Sequence, residues 1–321
     1  MDDTKKILTL IKMSEVQIKE VVWLWYPYIA YGKITIIQGD PGEGKTTFIL
    51  YLVALLSRGE KLPFVESIRT PINIIYQTAE DGLEDTIKPR LVKMGADCSK
   101  VLVIDDKNNE LSMTDERIEQ ALQETGARLL VLDPIQAFLG AQVDMHRANE
   151  IRPVLKRLGA LADKYNCAIV LIGHMNKTNG AKSTYRGLGS IDFQATARSV
   201  LVVGRLKDKP NIRIVAHDKS SLAPEGEAVA FEMSEEEGFK LLGHYDISVD
   251  DLLCGINQEN KLMKAETLLE DVLANGSGLQ SDLLKRANGM DISKRILDQA
   301  KKNLGVKSFK SGDKWYWQLN D

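Results

Sequence analysis

The stretch Gly39-Asp-Pro-Gly-Glu-Gly-Lys-Thr-Thr47 constrains this chain more than any other, because it stands between the apolar run Lys33-Ile-Thr-Ile-Ile-Gln38 and the apolar segment Phe48 to Leu56. Gly39, Gly44, Lys45 and Thr46 satisfy the spacing GxxxxGK[ST] in the strand, loop, helix context that gives the motif its meaning. Glycines let successive backbone N–H groups converge on a phosphate, and a helix starting near Lys45 adds the positive end of its dipole. A chance glycine turn would have no reason to carry the flanking strand and helix. The loop residues Gly39, Asp40, Pro41, Gly42, Glu43, Gly44, Lys45, Thr46 and Thr47 are therefore expected to bind ATP. Lys45 is expected to reach the β- and γ-phosphates and Thr46 to place its hydroxyl on Mg²⁺.

Further short apolar runs rich in β-branched residues follow at Ile72–Tyr76, Val101–Ile104, Leu129–Leu132, Ala168–Ile172 and Val200–Val203. Segments long enough for crossover helices lie between them, notably Asp115–Glu124 and Ala148–Tyr165, so an α/β fold with a mainly parallel sheet is expected. Ile212–His217 and Ala228–Glu232 are expected to extend it antiparallel. Asp133 closes the run Leu129–Leu132 and is the expected second Mg²⁺ ligand, although a carboxylate ending a strand also caps turns. The alternation stops near Tyr245. We read residues 1–245 as one domain with 1–30 as an N-terminal extension, 246–260 as a linker and 261–321 as a second domain.

Composition narrows the setting. A chain of 321 residues, 44% of them hydrophobic, can bury one sizeable core and a smaller second one. No stretch approaches the roughly 18 apolar residues of a membrane span, and MDDTKKILTL lacks a signal core, so a cytoplasmic protein is expected. Cys98, Cys167 and Cys254 share no CxxC spacing and are expected to be reduced and buried. A formal net charge of -3 leaves nucleic acid to local basic patches rather than to overall charge.

Other polar residues fall at strand ends, where open α/β sheets bind ligands. Glu80, after Ile72–Tyr76, is a candidate for activating the attacking water, with helix capping beside Asp81 as its competing role. His174, after Ala168–Ile172, is placed to sense a γ-phosphate or to be a partly buried structural histidine. The loop Asn176–Asp192 carries Lys177, Lys182 and Arg186, suited to phosphodiester oxygens or to a solvated surface.

In combination, Trp23-Leu-Trp-Tyr-Pro-Tyr-Ile29, the glycine loop, Thr78-Ala-Glu-Asp81, Leu132-Asp133-Pro134, Gly173-His174, Tyr185-Arg-Gly-Leu-Gly-Ser190 and Lys219-Ser-Ser-Leu-Ala-Pro224 resemble the RepA-like branch of RecA-type P-loop ATPases, the branch of hexameric replicative helicases. The resemblance spans about Val21 to Met233. It implies a RecA-like core, Glu80 as catalytic carboxylate, His174 as sensor, and a homo-hexamer with nucleotide between neighbours. It also implies Lys219 as a base acting on a neighbour's site. The arginine that accompanies that lysine in related helicases is replaced by Ser221, with Arg198 or Arg205 as substitutes.

Leu262–Ala274, Leu279–Ala287 and Ile292–Leu304 carry helical apolar spacing, and Val306–Leu319 alternates about a Ser-Gly-Asp turn. Three helices and a hairpin suggest a winged helix, which this segment also resembles as found on ATPases of mobile elements. From Lys285 to Asp321 nine Lys and Arg face four Asp, a balance of +5. Lys294, Arg295, Lys301 and Lys302 on the third helix are thus expected to meet duplex DNA, with protein contact as the alternative. The whole reads as an ATP-hydrolysing motor moving single-stranded DNA through a ring. An ATP switch that loads DNA-binding partners, or a sequence-specific regulator with an oligomerising core, are the rivals.

Overall fold

In the computed structural model, which describes residues 10–140, 143–145, 147–175, 191–234, 238–255, 258–274, 276–290 and 292–319, the apolar runs become a nine-stranded sheet. A short hairpin, β1 (Trp23–Trp25) and β2 (Ile29–Ala30), leads into β3 (Ile34–Gly39), whose six residues are all buried. Helix α1 (Lys45–Arg58) follows, apolar on most sides and stopped by Gly59, which takes up a left-handed φ of 71° and donates its N–H to the Leu55 and Leu56 carbonyls. The chain continues through β4 (Ile74–Thr78), α2 (Lys88–Lys93), β5 (Val101–Leu102), α3 (Glu116–Thr125), β6 (Leu129–Asp133), α4 (Ala148–Tyr165), β7 (Ala168–His174), α5 (Ile191–Thr196) and β8 (Ser199–Arg205). Then β9 (Ile212–Ser220), β10 (Ala228–Ser234) and β11 (Gly238–Tyr245) run antiparallel along one edge.

The strand order is β11-β10-β9-β8-β3-β7-β6-β4-β5. After β3 the chain steps out to β4, returns through β6 and β7, and then crosses β3 to form β8, with parallel pairing throughout this part. A crevice opens where such connections diverge, at the carboxyl ends of the strands. Register aligns Gly39 with His174 and Thr78 with Asp133, so one sheet edge collects all four strand ends. Two apolar layers enclose the sheet. Phe48, Leu52, Tyr76, Val131 and Phe231 belong to one; Ile36, Leu130, Leu132, Leu155 and Leu158 belong to the other.

Several boundaries differ from the sequence reading. Strand β4 runs on to Thr78 because Gln77 is wholly buried, with its side-chain amide exchanging two hydrogen bonds with the Ile104 backbone (3.0 and 3.1 Å). Those bonds satisfy Ile104 outside the ladder, so β5 is two residues rather than four. Strand β11 was not expected, since its polar alternation conceals Phe239, stacked on Tyr51 and Phe231. The expected linker 246–260 contains α6 (Val249–Cys254), capped by Ser248 accepting from the Asp251 N–H at 3.1 Å. Leu252 is buried in a small cluster with Val202 and Ile214, and Asp251 pairs with Lys261 at 2.5 Å in a largely buried setting. Only Cys167 is fully buried, its thiol pushed up to about 12 by desolvation; Cys98 is half-buried and Cys254 exposed.

Residues beyond α6 form a separate apolar cluster. Helices α7 (Gln258–Leu273), α8 (Gln280–Gly289) and α9 (Lys294–Asn303) enclose Ala265, Leu269, Leu283 and Leu297. Between α7 and α8 lies a two-residue strand, β12 (Gly278–Leu279), and after α9 comes the hairpin of β13 (Lys307–Ser311) and β14 (Lys314–Gln318). The hairpin covers the cluster with the buried Trp317. Strand β12 joins the other side of β14, a third strand that alternation alone did not reveal. Among the described residues, no helix is long and apolar enough to cross a membrane.

Candidate functional site

The glycine loop is shaped by contacts that admit no side chain. A Cβ on Gly39 would lie 2.2 Å from the Val203 carbonyl oxygen, while Gly42 and Gly44 adopt φ of 78° and 89°. Backbone can therefore turn tightly between the end of β3 and the start of α1. Lys45 is buried, and its ammonium donates to the carbonyls of Gly39 (2.9 Å) and Asp40 (2.8 Å) and lies 3.3 Å from His174 Nδ1. Burial pulls this lysine below its ordinary range, against the raising influence of Asp133, Glu43, Asp40 and Glu80. Incoming anionic oxygens would meet a desolvated cation already bent over the loop.

Thr46 and Asp133 come together across the sheet. The Thr46 hydroxyl donates to Asp133 Oδ2 at 2.7 Å, and the hydroxyl of the fully buried Tyr76 donates to the same oxygen at 2.7 Å. Desolvation raises the Asp133 carboxyl above the usual carboxylate range, and the two hydroxyls oppose that rise. Tyr76 in turn is pushed well above its ordinary value by burial and by Asp133. Two oxygen donors side by side at a glycine-cradled anion site fit a hard cation such as Mg²⁺. Among the described residues no cluster of three or more His, Cys, Asp or Glu residues stands ready for a metal ion.

Glu80 projects from the loop after β4, largely exposed, with Oε2 3.8 Å from His174 Nε2. Its competing role as a helix cap does not appear. The helical turn after it begins at Leu83 with Gly82 at the cap and no side-chain bond, and Asp81 pairs instead with Arg90 at 3.3 Å. Lys45, Thr46, Thr47, Thr78, Glu80, Asp81, Asp133 and His174 line one cavity of about 310 Å³. Tyr76 was missed by sequence reasoning, and Arg205 was named only as a possible base toward a neighbour's site, not as a partner of its own loop. Arg205 grips the loop from β8, pairing with Glu43 at 3.0 Å and donating to the Gly42 carbonyl at 3.3 Å. No spacing rule connects positions so far apart.

Other candidates are deployed differently. Lys219, expected to reach a neighbouring subunit, donates to the carbonyls of Gln194 (2.5 Å), Ala195 (3.2 Å) and Ala197 (2.9 Å), where it caps the end of α5. With Arg205 on Glu43, both bases are engaged within the chain. Lys177, Lys182 and Arg186 lie outside the described residues. Of the four cations on α9, Lys294, Arg295 and Lys302 are exposed. Lys301 is turned inward, bonding to Ser308 Oγ at 2.5 Å and lying 4.6 Å over Trp317. Arg295 lines a cleft with Asp218 of β9, Asp246 just after β11 and Asp250 of α6, where Ser293 also donates to Asp246 at 2.7 Å. Three of the four cations on α9 therefore face solvent, and Lys301 lies over an aromatic ring.

The sequence profile of a family described as AAA domain matches residues 3–180. Among curated proteins, the chain is 27% identical over 152 residues to DNA repair protein RadA of Halalkalibacterium halodurans, covering 46% of this chain and 29% of that one. It is 26% identical over 152 residues to RadA of Bacillus subtilis, with the same coverage of 46% and 29%. The chain therefore spans under a third of the length of these relatives. Among solved structures, an isolated ATPase domain superposes with a TM-score of 0.50 at 15% identity, covering 66% of this chain and 84% of that one. A DnaB-like replicative helicase, solved to show its interactions with primase, gives 0.50 at 15% identity over 66% of this chain and 57% of its own. These likenesses show the fold, a RecA-like P-loop α/β core.

Proposed function

The chain belongs to the AAA domain family, and on that premise we propose that it is an ATP hydrolase working on DNA. The observation that carries this reading is the convergence of Thr46, Asp133 and Lys45 on one glycine-cradled cavity. In this reading Gly39 to Thr47 wrap the phosphates with backbone N–H groups, and Lys45 leaves its carbonyl partners for phosphate oxygens. Thr46 and Asp133 hold Mg²⁺. The ion, when bound, supplies charge neutralisation for phosphoryl transfer. Tyr76 fixes the rotamer of Asp133 from below. Glu80 orients water at the cavity mouth, and His174, between Lys45 and Glu80, reports whether the terminal phosphate is present.

DNA as the partner is supported by the RadA and DnaB-like relatives and by the exposed cations Lys294 and Lys302 in a C-terminal unit that we read as a winged helix. Lys177, Lys182 and Arg186 would track a single strand. A homo-hexamer with nucleotide between subunits accords with the helicase-like fold. Phosphate release measured with and without single-stranded DNA, alongside solution mass, tests this. Mg²⁺-dependent release that rises with DNA supports the reading, and no release from folded protein refutes it.

A second reading, an ATP switch that assembles on DNA without moving along it, is favoured by the internal use of Lys219 and Arg205. Unwinding of a forked duplex separates the two.

A further inference from the structure

The C-terminal hairpin carries aromatic surface on the face turned away from its core. Trp317 fills the core on the inner side of the hairpin. Strand alternation then sends Lys307, Phe309 and Ser311 of β13, and Lys314, Tyr316 and Gln318 of β14, to the outer face. None of these six is acidic. Phe309 and Tyr316 sit opposite one another in register, with ring centroids 5.8 Å apart and planes inclined by 21°. Phe309 is 40% exposed, and Trp315, near the turn on the other side, is 51% exposed. Lys307 and Lys314 flank the aromatic pair, separated by four register positions or about 13 Å at roughly 3.3 Å per residue.

Exposed rings are costly to leave in water, and a cross-strand stacked aromatic pair between two cations matches one chemistry closely. Bases stack on the rings while the lysines meet the phosphates on either side. A regular duplex hides its base faces, so only an unpaired strand can use them. We propose that the outer face of β13 and β14 is a binding platform for single-stranded DNA. It is distinct from α9, whose solvent-facing cations Lys294, Arg295 and Lys302 are suited to phosphates of a duplex. The proposal rests on the reading above only for DNA as partner, and it needs no nucleotide hydrolysis.

Fluorescence anisotropy of the full chain with a labelled oligothymidylate, and with a blunt duplex of equal length, tests it. Phe309→Ala/Tyr316→Ala is expected to weaken single-strand binding by about tenfold or more, from roughly 1–3 kcal/mol per stacked base, and to leave the duplex unaffected. Phe309→Leu/Tyr316→Leu, which keeps apolar bulk, is expected to lose as much. Lys307→Gln/Lys314→Gln should lower the salt slope for the single strand by about 1.4, at about 0.7 per phosphate. Absence of single-strand binding by the wild type, full rescue by the leucines, or equal losses on both DNAs would overturn the proposal. Calorimetry with Mg·ATP on the same variants keeps the nucleotide reading separate, since none of these residues lies near the glycine loop.

Discussion

Tyr76→Phe removes a single oxygen from the candidate site and leaves the ring that fills the core. The phenol is wholly buried and gives one of two hydrogen bonds, each 2.7 Å, to Asp133 Oδ2. Apolar burial is nearly unchanged by the substitution, so the loss is that of a hydrogen bond to a charged acceptor, about 1.5–3 kcal/mol. Thr46 still serves the same oxygen, which favours the lower end. The pH dependence is specific. Desolvation already raises Asp133 in the folded state, so its buried charge costs stability above its folded titration point, and the cost disappears as acid protonates it. Removing a donor that opposed the rise enlarges that cost. Urea unfolding at several pH values should therefore show the deficit of Tyr76→Phe at its full size near neutrality and shrinking on acidification. A deficit below about 0.5 kcal/mol throughout, or one that grows as pH falls, would refute the argued desolvation cost at Asp133.

Glu80→Gln should preserve Mg·ATP binding by calorimetry and lower turnover by about 10²–10⁴ if Glu80 aligns the water; normal turnover would remove it from the mechanism. His217 is buried, with Nε2 on Ser199 Oγ and Nδ1 accepting from the Gly226 N–H, and desolvation lowers it to about 4. Its neutral form is favoured on folding, so its contribution is complete above its ordinary value of 6.5. It is lost as pH falls toward about 4, by roughly 3 kcal/mol in total. His217→Gln should flatten the acid limb of the stability profile; an unchanged limb would contradict the burial argument. Lys219→Met should lower thermal stability by about 1–3 kcal/mol through the three carbonyls it leaves at the end of α5, with turnover per folded molecule preserved. Reduced turnover at full stability would restore a role at a neighbour's site.

What the sequence disclosed depended on how locally each feature is encoded. The glycine loop carries its own geometry, since Gly39, Gly42 and Gly44 are required by backbone turns and by a carbonyl 2.2 Å from where a Cβ would stand. Buried parallel strands read directly as apolar runs, and α4 runs from Ala148 to Tyr165 as its 3.6-residue spacing indicates. Asp133 could be picked from its place at a strand end. Its partner Tyr76 could not, because two hydroxyls meeting one carboxylate is a property of sheet register, not of spacing. The same holds for Arg205 on Glu43 and Lys219 on α5, where long basic side chains are captured by carbonyls or carboxylates distant in the chain. Strand β11 escaped notice for a related reason. A half-exposed edge strand needs few apolar residues, and its Phe239 gains meaning only against Tyr51 and Phe231. Counting cations on α9 could not show that Lys301 lies over Trp317 while Lys294, Arg295 and Lys302 stay exposed.

The central claim is that the turn after β3 wraps a triphosphate and its metal. Titration calorimetry of Mg·ATP into the folded wild-type chain and into Lys45→Ala tests it most directly. Saturable heat in the wild type, weakened when Mg²⁺ is chelated and lost in the variant, is the expected outcome. No heat from the wild type, or the same heat from both proteins, would contradict it.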